Sequence, residues 1–238
     1  NTGNIFRYGE NVSGQKVGVG YNSAGEIRIG VTGHAWAFNW TNDLNWHHLV
    51  VVYPSGHTLS DQWTAYIDGV ELTGGATAAG ATQTVNTVVN GVLDGYLGEN
   101  QTQTSPFDGK IDDLAIWDVE LSAAEIKTLY EAQNANYTEL SSSWTPQFSS
   151  LVGYWKMDNN WLDSSGKGNH GTAVDGASFL PEAKIGTHSG SFDGAGDYIE
   201  VGDDPTLNPS TNFSVGATSE EEFILSPSDS QSILTSNF

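Results

Sequence analysis

The apolar positions fall into short β-branched and aromatic runs broken by Gly, Asn, Asp and Ser. Leu49-Val50-Val51-Val52-Tyr53 follows Trp46-His47-His48, and Thr64-Ala65-Tyr66-Ile67 is joined to Val70-Glu71-Leu72 by Asp68-Gly69. Asp-Gly supplies the positive φ angles of a two-residue hairpin, so this stretch predicts two antiparallel strands. Upstream, Lys16–Tyr21 and residues 26–31 alternate in strand fashion around Asn22-Ser23-Ala24-Gly25, a meander with a glycine-containing turn. Residues 73–92, rich in Thr, Ala and Gly, predict a loop with a weak edge strand. One segment has helical spacing instead. Ser122 and Glu125 form a Ser-x-x-Glu capping box ahead of Ile126, Leu129 and Tyr130, which predicts a short helix over residues 122–133, entered from the strand-like run Lys110 to Trp117.

The stretch 136–150, with Ser141-Ser142-Ser143 and Pro146, reads as a linker. Strand-like runs then resume at Leu151-Val152-Gly153-Tyr154-Trp155. They continue past the turn Asp163-Ser164-Ser165-Gly166-Lys167-Gly168-Asn169-His170-Gly171 to Ser191-Phe192-Asp193-Gly194-Ala195-Gly196-Asp197-Tyr198-Ile199-Glu200-Val201. Neither half contains a copy of the other, so this is not an internal repeat.

Composition narrows the reading. A chain of 238 residues can hold one large β domain or two small ones, and 28 Gly against 7 Pro suits many tight turns more than a stiff tether. A formal charge of −21 repels phosphate backbones and anionic lipid and attracts divalent cations, which argues against nucleic-acid partners. With no cysteine there are neither disulfides nor thiolate metal sites. The apolar runs are too short for membrane insertion. The chain opens on Asn1 with no signal-like segment, as expected of a processed, trimmed or partial chain.

The segments "WHHLVVVY", "AYIDGVEL" and "FDGKIDDLAIWDVELSAAEI", in this order between Asn45 and Gln133, resemble the second half of a laminin G-like domain of the concanavalin A-like lectin/glucanase superfamily. The D-S-S-G-x-G-N-x-G turn and "SFDGAGDYIEV" resemble its opening half. The resemblance implies an all-β, concanavalin A-like jelly-roll β-sandwich of two antiparallel sheets with one short helix, its halves in permuted order. Residues 1–135 are then the trailing portion, 136–150 the linker and 151–238 the leading portion. Together they complete a domain within the chain or with a neighbouring subunit. Glu220-Glu221-Glu222 interrupts the stretch 214–227, where the family pattern has a central strand.

The turn at Asp163 gathers hard oxygen donors of the kind Ca²⁺ takes. The resemblance implies a structural Ca²⁺ held by Asp163, Asn169 and Asp112, with Gly171 adding its carbonyl. The residues alone equally fit a glycine-rich turn in which Asp163 and Asn169 cap their own backbone. Gly166 to Gly171 match G-x-G-x-x-G in form, but no helical periodicity follows, as a dinucleotide site requires. The E-x-D-x-x-E strand of the superfamily's glucanases is missing, as are a G-x-S-x-G elbow and any H-E-x-x-H after His47-His48. An enzyme is therefore not expected.

Trp46, Trp63, Trp117 and Trp155 lie in strand patterns and are expected in the core. Trp36, Trp40, Trp144 and Trp161 fall in or near loops, and of these Trp36 and Trp40 are the candidates for stacking on sugar rings. The resemblance implies a non-catalytic extracellular structural or adhesion module at a cell or virion surface; the permuted order of the halves and the missing natural start point to a repeat or self-assembling subunit of a filament or appendage whose partner is itself. The alternative is a calcium-dependent carbohydrate-binding module of a secreted glycoside hydrolase or adhesin, with surface glycans as partner.

Overall fold

The computed structural model describes residues 3–9, 16–21, 26–31, 34–38, 40, 43–53, 63–73, 75–77, 95–99, 106–207 and 212–221. The predicted turn at Asn22–Gly25 and residues 78–92 of the predicted loop lie outside them. From the amino terminus the strands are β1 (Gly3–Gly9), β2 (Lys16–Tyr21), β3 (Ile27–Val31), β4 (His34–Phe38), β5 (His47–Tyr53), β6 (Thr64–Ile67), β7 (Val70–Glu71), β8 (Gly75–Thr77), β9 (Gly95–Leu97) and β10 (Asp108–Trp117). The helix α1 (Ala123–Asn136) follows. Then come β11 (Leu151–Trp155), β12 (Gly171–Val174), β13 (Ser178–Leu180), β14 (Ser189–Asp193), β15 (Tyr198–Val201) and β16 (Phe213–Glu221).

The strands form two antiparallel sheets. One runs β12-β15-β9-β1-β2-β3-β4-β8, and the other β13-β14-β10-β16-β5-β6-β7, with β11 paired to β10. Strands from beyond residue 150 thus enter both sheets: β15 pairs with β9, and β16 lies between β10 and β5. The predicted hairpin forms, with Asp68 and Gly69 at φ 52° and 75°.

Strand β5 shows why the middle of the chain reads as one continuous apolar run. Leu49, Val51 and Tyr53 face the other sheet, while Val50 and Val52 face the opposite way and are covered by Ile126 and Leu129 of α1. A strand buried on both faces has no polar phase. The fold is therefore a sandwich with a helix on the outer side of the second sheet. Between the sheets, Tyr53, Trp63 and Phe213 pack with ring centroids 4.6–6.0 Å apart, a distance at which aromatic pairs add to the burial of their area.

Two boundaries differ from the sequence reading. Glu220-Glu221-Glu222 does not break the central strand: β16 runs on through Glu221. Lys110 Nζ lies 3.4 Å from Glu220 and 3.2 Å from Glu182, so the charge at the strand's end is paired across the sheet. The helix extends to Asn136, three residues past the prediction, and ends at Tyr137 in the left-handed conformation (φ 50°, ψ 44°). Its predicted capping box at Ser122 and Glu125 is formed.

The stretch 136–150 is ordered against the helix-side core. Leu140 is buried there, with Trp144 and Phe148 packed alongside, and Trp144 Nε1 donates to the Glu139 carbonyl at 3.0 Å.

Candidate functional site

The turn singled out for metal closes on itself. Asp163 bridges to Trp155 of β11. Its Oδ1 accepts from the backbone N–H groups of Tyr154 and Ser165, and its Oδ2 from Ser165 Oγ and the N–H groups of Gly168 and Asn169, all at 2.8–3.0 Å. Gly166 and Gly168 supply positive φ angles of 88° and 87°, which L-residues rarely adopt. Asn169 anchors the turn to the sheet. Its Nδ2 donates to the Val152 carbonyl and to Thr206 Oγ1, and its carbonyl accepts from Trp155 Nε1 at 2.8 Å. The Gly171 N–H donates to the Trp161 carbonyl.

Asp112 works elsewhere. Its Oδ2 accepts from the N–H groups of Lys184 and Ile185 at 2.9 and 2.8 Å. Among the described residues, no three His, Asp or Glu side chains converge as a metal-binding group. Asp163 could ligate an ion only by giving up donors it already holds, and Asp112 serves a different segment. The set Asp163, Asn169, Gly171 and Asp112 therefore does not fit a shared Ca²⁺.

Asp112 and Asp113 occupy a break in the second sheet. Strand β10 pairs with β14 over Asp108–Ile111 and with β11 from Leu114 on, so two strands follow one another along the same side of it. On the other side the register against β16 shifts between Asp112 and Ala115. Asp113 sits in this bulge at φ 50°. Both carboxyls are buried, at 0% and 3% exposure. Asp113 Oδ1 accepts from the Tyr154 hydroxyl, while Asp112 Oδ1 and Asp113 Oδ2 have no hydrogen-bond partner in the structure described. Burial raises the pKa of both above the ordinary aspartate value, and for Asp112 the neighbouring Asp113 adds to the effect.

On the outer side of the second sheet, the start of β5, the β6–β7 turn, the end of β16 and α1 border a small cleft, partly open to solvent. Trp46, His48, Asp68, Tyr130, Asn134 and Lys184 line it, with Gln133 and Thr218 behind them. Asn134 Nδ2 donates to the Tyr130 hydroxyl at 3.2 Å, and the His48 and Tyr130 rings lie 6.1 Å apart. Asp68 is fully engaged: Oδ1 accepts from the His48 N–H at 3.0 Å and Oδ2 meets His47 Nδ1 at 2.8 Å. The other nitrogen of His47, Nε2, lies 2.8 Å from Asp43.

The two neighbouring histidines are therefore tuned in opposite directions. The bond to Asp68 raises the pKa of His47, whereas burial pulls His48 down to about 4. An NMR titration of the ring protons checks this: His47 titrates above the ordinary histidine value and His48 stays neutral until about pH 4.

Trp40 packs on Tyr21 and His47, at 5.6 and 4.8 Å between centroids, as part of the core rim. Trp36 lies on β4, where its backbone pairs with Ile29 and Thr77, but its side chain is outside the described part. Trp161 stacks on Phe179 at 4.1 Å. Trp63, Trp117 and Trp155 are buried as expected, but Trp46, expected in the core, is half-buried and lines the cleft. A signal for this was present in the chain. Trp46, His48, Val50 and Val52 share one phase of a period-two pattern, so the face that packs under the helix begins at Trp46.

Two antiparallel sheets packed face to face, with one helix on the outside, define a concanavalin A-like β-sandwich. The model of the Laminin_G_3 family, of the concanavalin A-like lectin/glucanases superfamily, matches residues 1–127, and the chain belongs to that family. It is similar to the mouse sushi, von Willebrand factor type A, EGF and pentraxin domain-containing protein 1, at 29% identity over 126 residues. That match takes in 50% of this chain and 3% of the mouse protein, so the chain spans a small part of that relative's length. No solved structure matches the chain.

Proposed function

We propose that the chain is a non-catalytic extracellular adhesion module that acts as a free-standing sandwich and binds surface glycans. The observation that carries this reading is the place of β16. It lies between β5 and β10, so both halves of the chain complete the same sheet and strand exchange would have to pull a central strand out. Among the described residues, the strands at the sheet ends, β7, β8, β12 and β13, are two to four residues long, and the five-residue β11, paired to β10 alone, is flanked on its other side by the Asp163 bridge, which offers little ladder for end-to-end strand addition. This favours a binding module over a strand-exchanging filament subunit. No helix among the described residues is long and apolar enough to cross a membrane.

Light scattering across a hundredfold concentration range and a glycan array test the reading together. The expected result is a monomer at every concentration with sugar-competed binding on the array. A silent array removes the glycan role, and fibres or an exchanged dimer remove the free-standing module.

A further inference from the structure

We propose that His47 is a proton-operated clip: its imidazolium pins the turn of residues 43–46 to the β6–β7 hairpin, and loss of one ring proton lets that turn go.

Both ring nitrogens of His47 meet carboxylates. Nδ1 lies 2.8 Å from Asp68 Oδ2, and Nε2 lies 2.8 Å from Asp43 Oδ1. An ionised carboxylate only accepts, and a neutral imidazole carries a single N–H, so both contacts are hydrogen bonds only when the ring holds two protons. The pKa of Asp43 is lowered, first by its bond to His47. At Asp68 burial pushes upward, but the bonds from His47 and the His48 N–H outweigh it. Both acids are therefore ionised at neutral pH, and the second proton belongs to the ring.

The two carboxylates are held unequally. Asp68 Oδ1 also accepts from the His48 N–H at 3.0 Å, which ties it to β5. The Asp43 side chain is 55% exposed. Its other bonds stay within the turn, where Oδ1 accepts from the Asn45 N–H at 3.1 Å and the carbonyl from Asn45 Nδ2 at 3.3 Å. A ring with one proton keeps the anchored Asp68 and releases Asp43 to water. The turn so freed holds Leu44 at φ 63°, which L-residues rarely adopt, and ends at Trp46, which lines the small cleft with Tyr130. The clip thus sets how firmly the segment carrying these two large apolar residues is held.

The other groups around His47 do not titrate with it. β16 places Ser219 opposite, its hydroxyl bonded to that of Tyr21, and the Trp40 ring packs at 4.8 Å. His48, next to it in β5, stays neutral until about pH 4. Among the described residues, Asp68 and Asp43 are the charges that act on the His47 ring. The bond to Asp68 raises its pKa, burial opposes this, and Asp43 adds to the rise, so the closed turn has the more basic ring. Closure is therefore favoured while the ring carries both protons and fades as pH climbs through the raised value.

Nitrogen-15 NMR of the whole chain counts the ring protons, and relaxation of the Cα carbons of residues 43–46 reads the turn. At pH 5 both His47 nitrogens are expected to be protonated and the turn to have the order parameters of rigid backbone, about 0.85. By pH 9 these should fall towards the ~0.6 of flexible backbone, with the midpoint of the His47 titration. Asp43→Asn should hold the turn rigid across the range with an unchanged circular dichroism spectrum, because an amide accepts from a ring N–H and, turned over, donates to a bare ring nitrogen. A single proton on the ring at pH 5, a turn whose mobility ignores the His47 titration, or a pH response that persists in Asp43→Asn overturns the proposal.

Discussion

Asp163→Ala is expected to destabilise the fold by about 3–5 kcal/mol, a large part of the ~5–15 kcal/mol that holds a domain together. The carboxylate accepts five hydrogen bonds, four from backbone N–H groups. Hydrogen bonds to a charged group contribute about 1.5–3 kcal/mol each and do not add in full, because a relaxed turn recovers some partners in water. The loss reaches beyond the turn: the Tyr154 N–H belongs to β11, and Asn169, whose N–H Asp163 also holds, carries the acceptor for the buried Trp155 indole. Asp163→Asn keeps one acceptor oxygen and should lose about half as much. Urea unfolding of the three proteins reads these differences. EDTA should leave the parent's melting temperature where it is, because hydrogen bonds close this turn. A chelator-induced fall that disappears in Asp163→Ala would show an ion there instead.

Features governed by neighbours in sequence were legible in the chain. The Asp68-Gly69 hairpin, the Ser122–Glu125 capping box and the tight turn around Asp163 each depend on residues within about one turn of one another. The resemblance to a laminin G-like domain supplied the sandwich, which period-two patterning alone would have left as unassigned strands. Features set by long-range pairing were not legible. Glu220 looks like a strand breaker until Lys110, 110 residues away, is brought opposite it. Asp112 reads as a metal-seeking carboxylate because nothing local shows that β10 exchanges one partner strand for another between Ile111 and Leu114. Trp46 reads as core because its run is apolar. Its cleft exists only once α1, β16 and the Lys184 segment converge on the outer face of β5.

The buried pair in that break leads to the second large effect, a loss of stability as pH rises. Both Asp112 and Asp113 have folded-state pKa values raised by burial. At pH values below that of an unfolded aspartate, about 4, both states hold the protons and the contribution is fully present. Above it the unfolded chain ionises freely while the folded chain resists. Stability then falls as pH climbs towards the raised folded values, by about 1.4 kcal/mol per pH unit for each carboxyl that stays protonated. The groups around the pair do not cancel this. The Tyr154 hydroxyl, itself pushed up by burial, and Lys156 favour the charged form of Asp113, while Glu139 and Asp158 oppose it. The pKa values of Asp68, Glu125 and Asp158 are held down, so these carboxylates lose their contribution only in stronger acid. Unfolding free energies at pH 5, 7 and 9 should therefore decline, and Asp113→Asn should flatten the decline and overtake the parent at pH 9. The Asn oxygen can still accept from Tyr154, but there is no longer a charge to bury. A stability that rises from pH 5 to pH 9, or an Asp113→Asn slope equal to the parent's, would mean that these carboxyls ionise in the folded chain as they would in water.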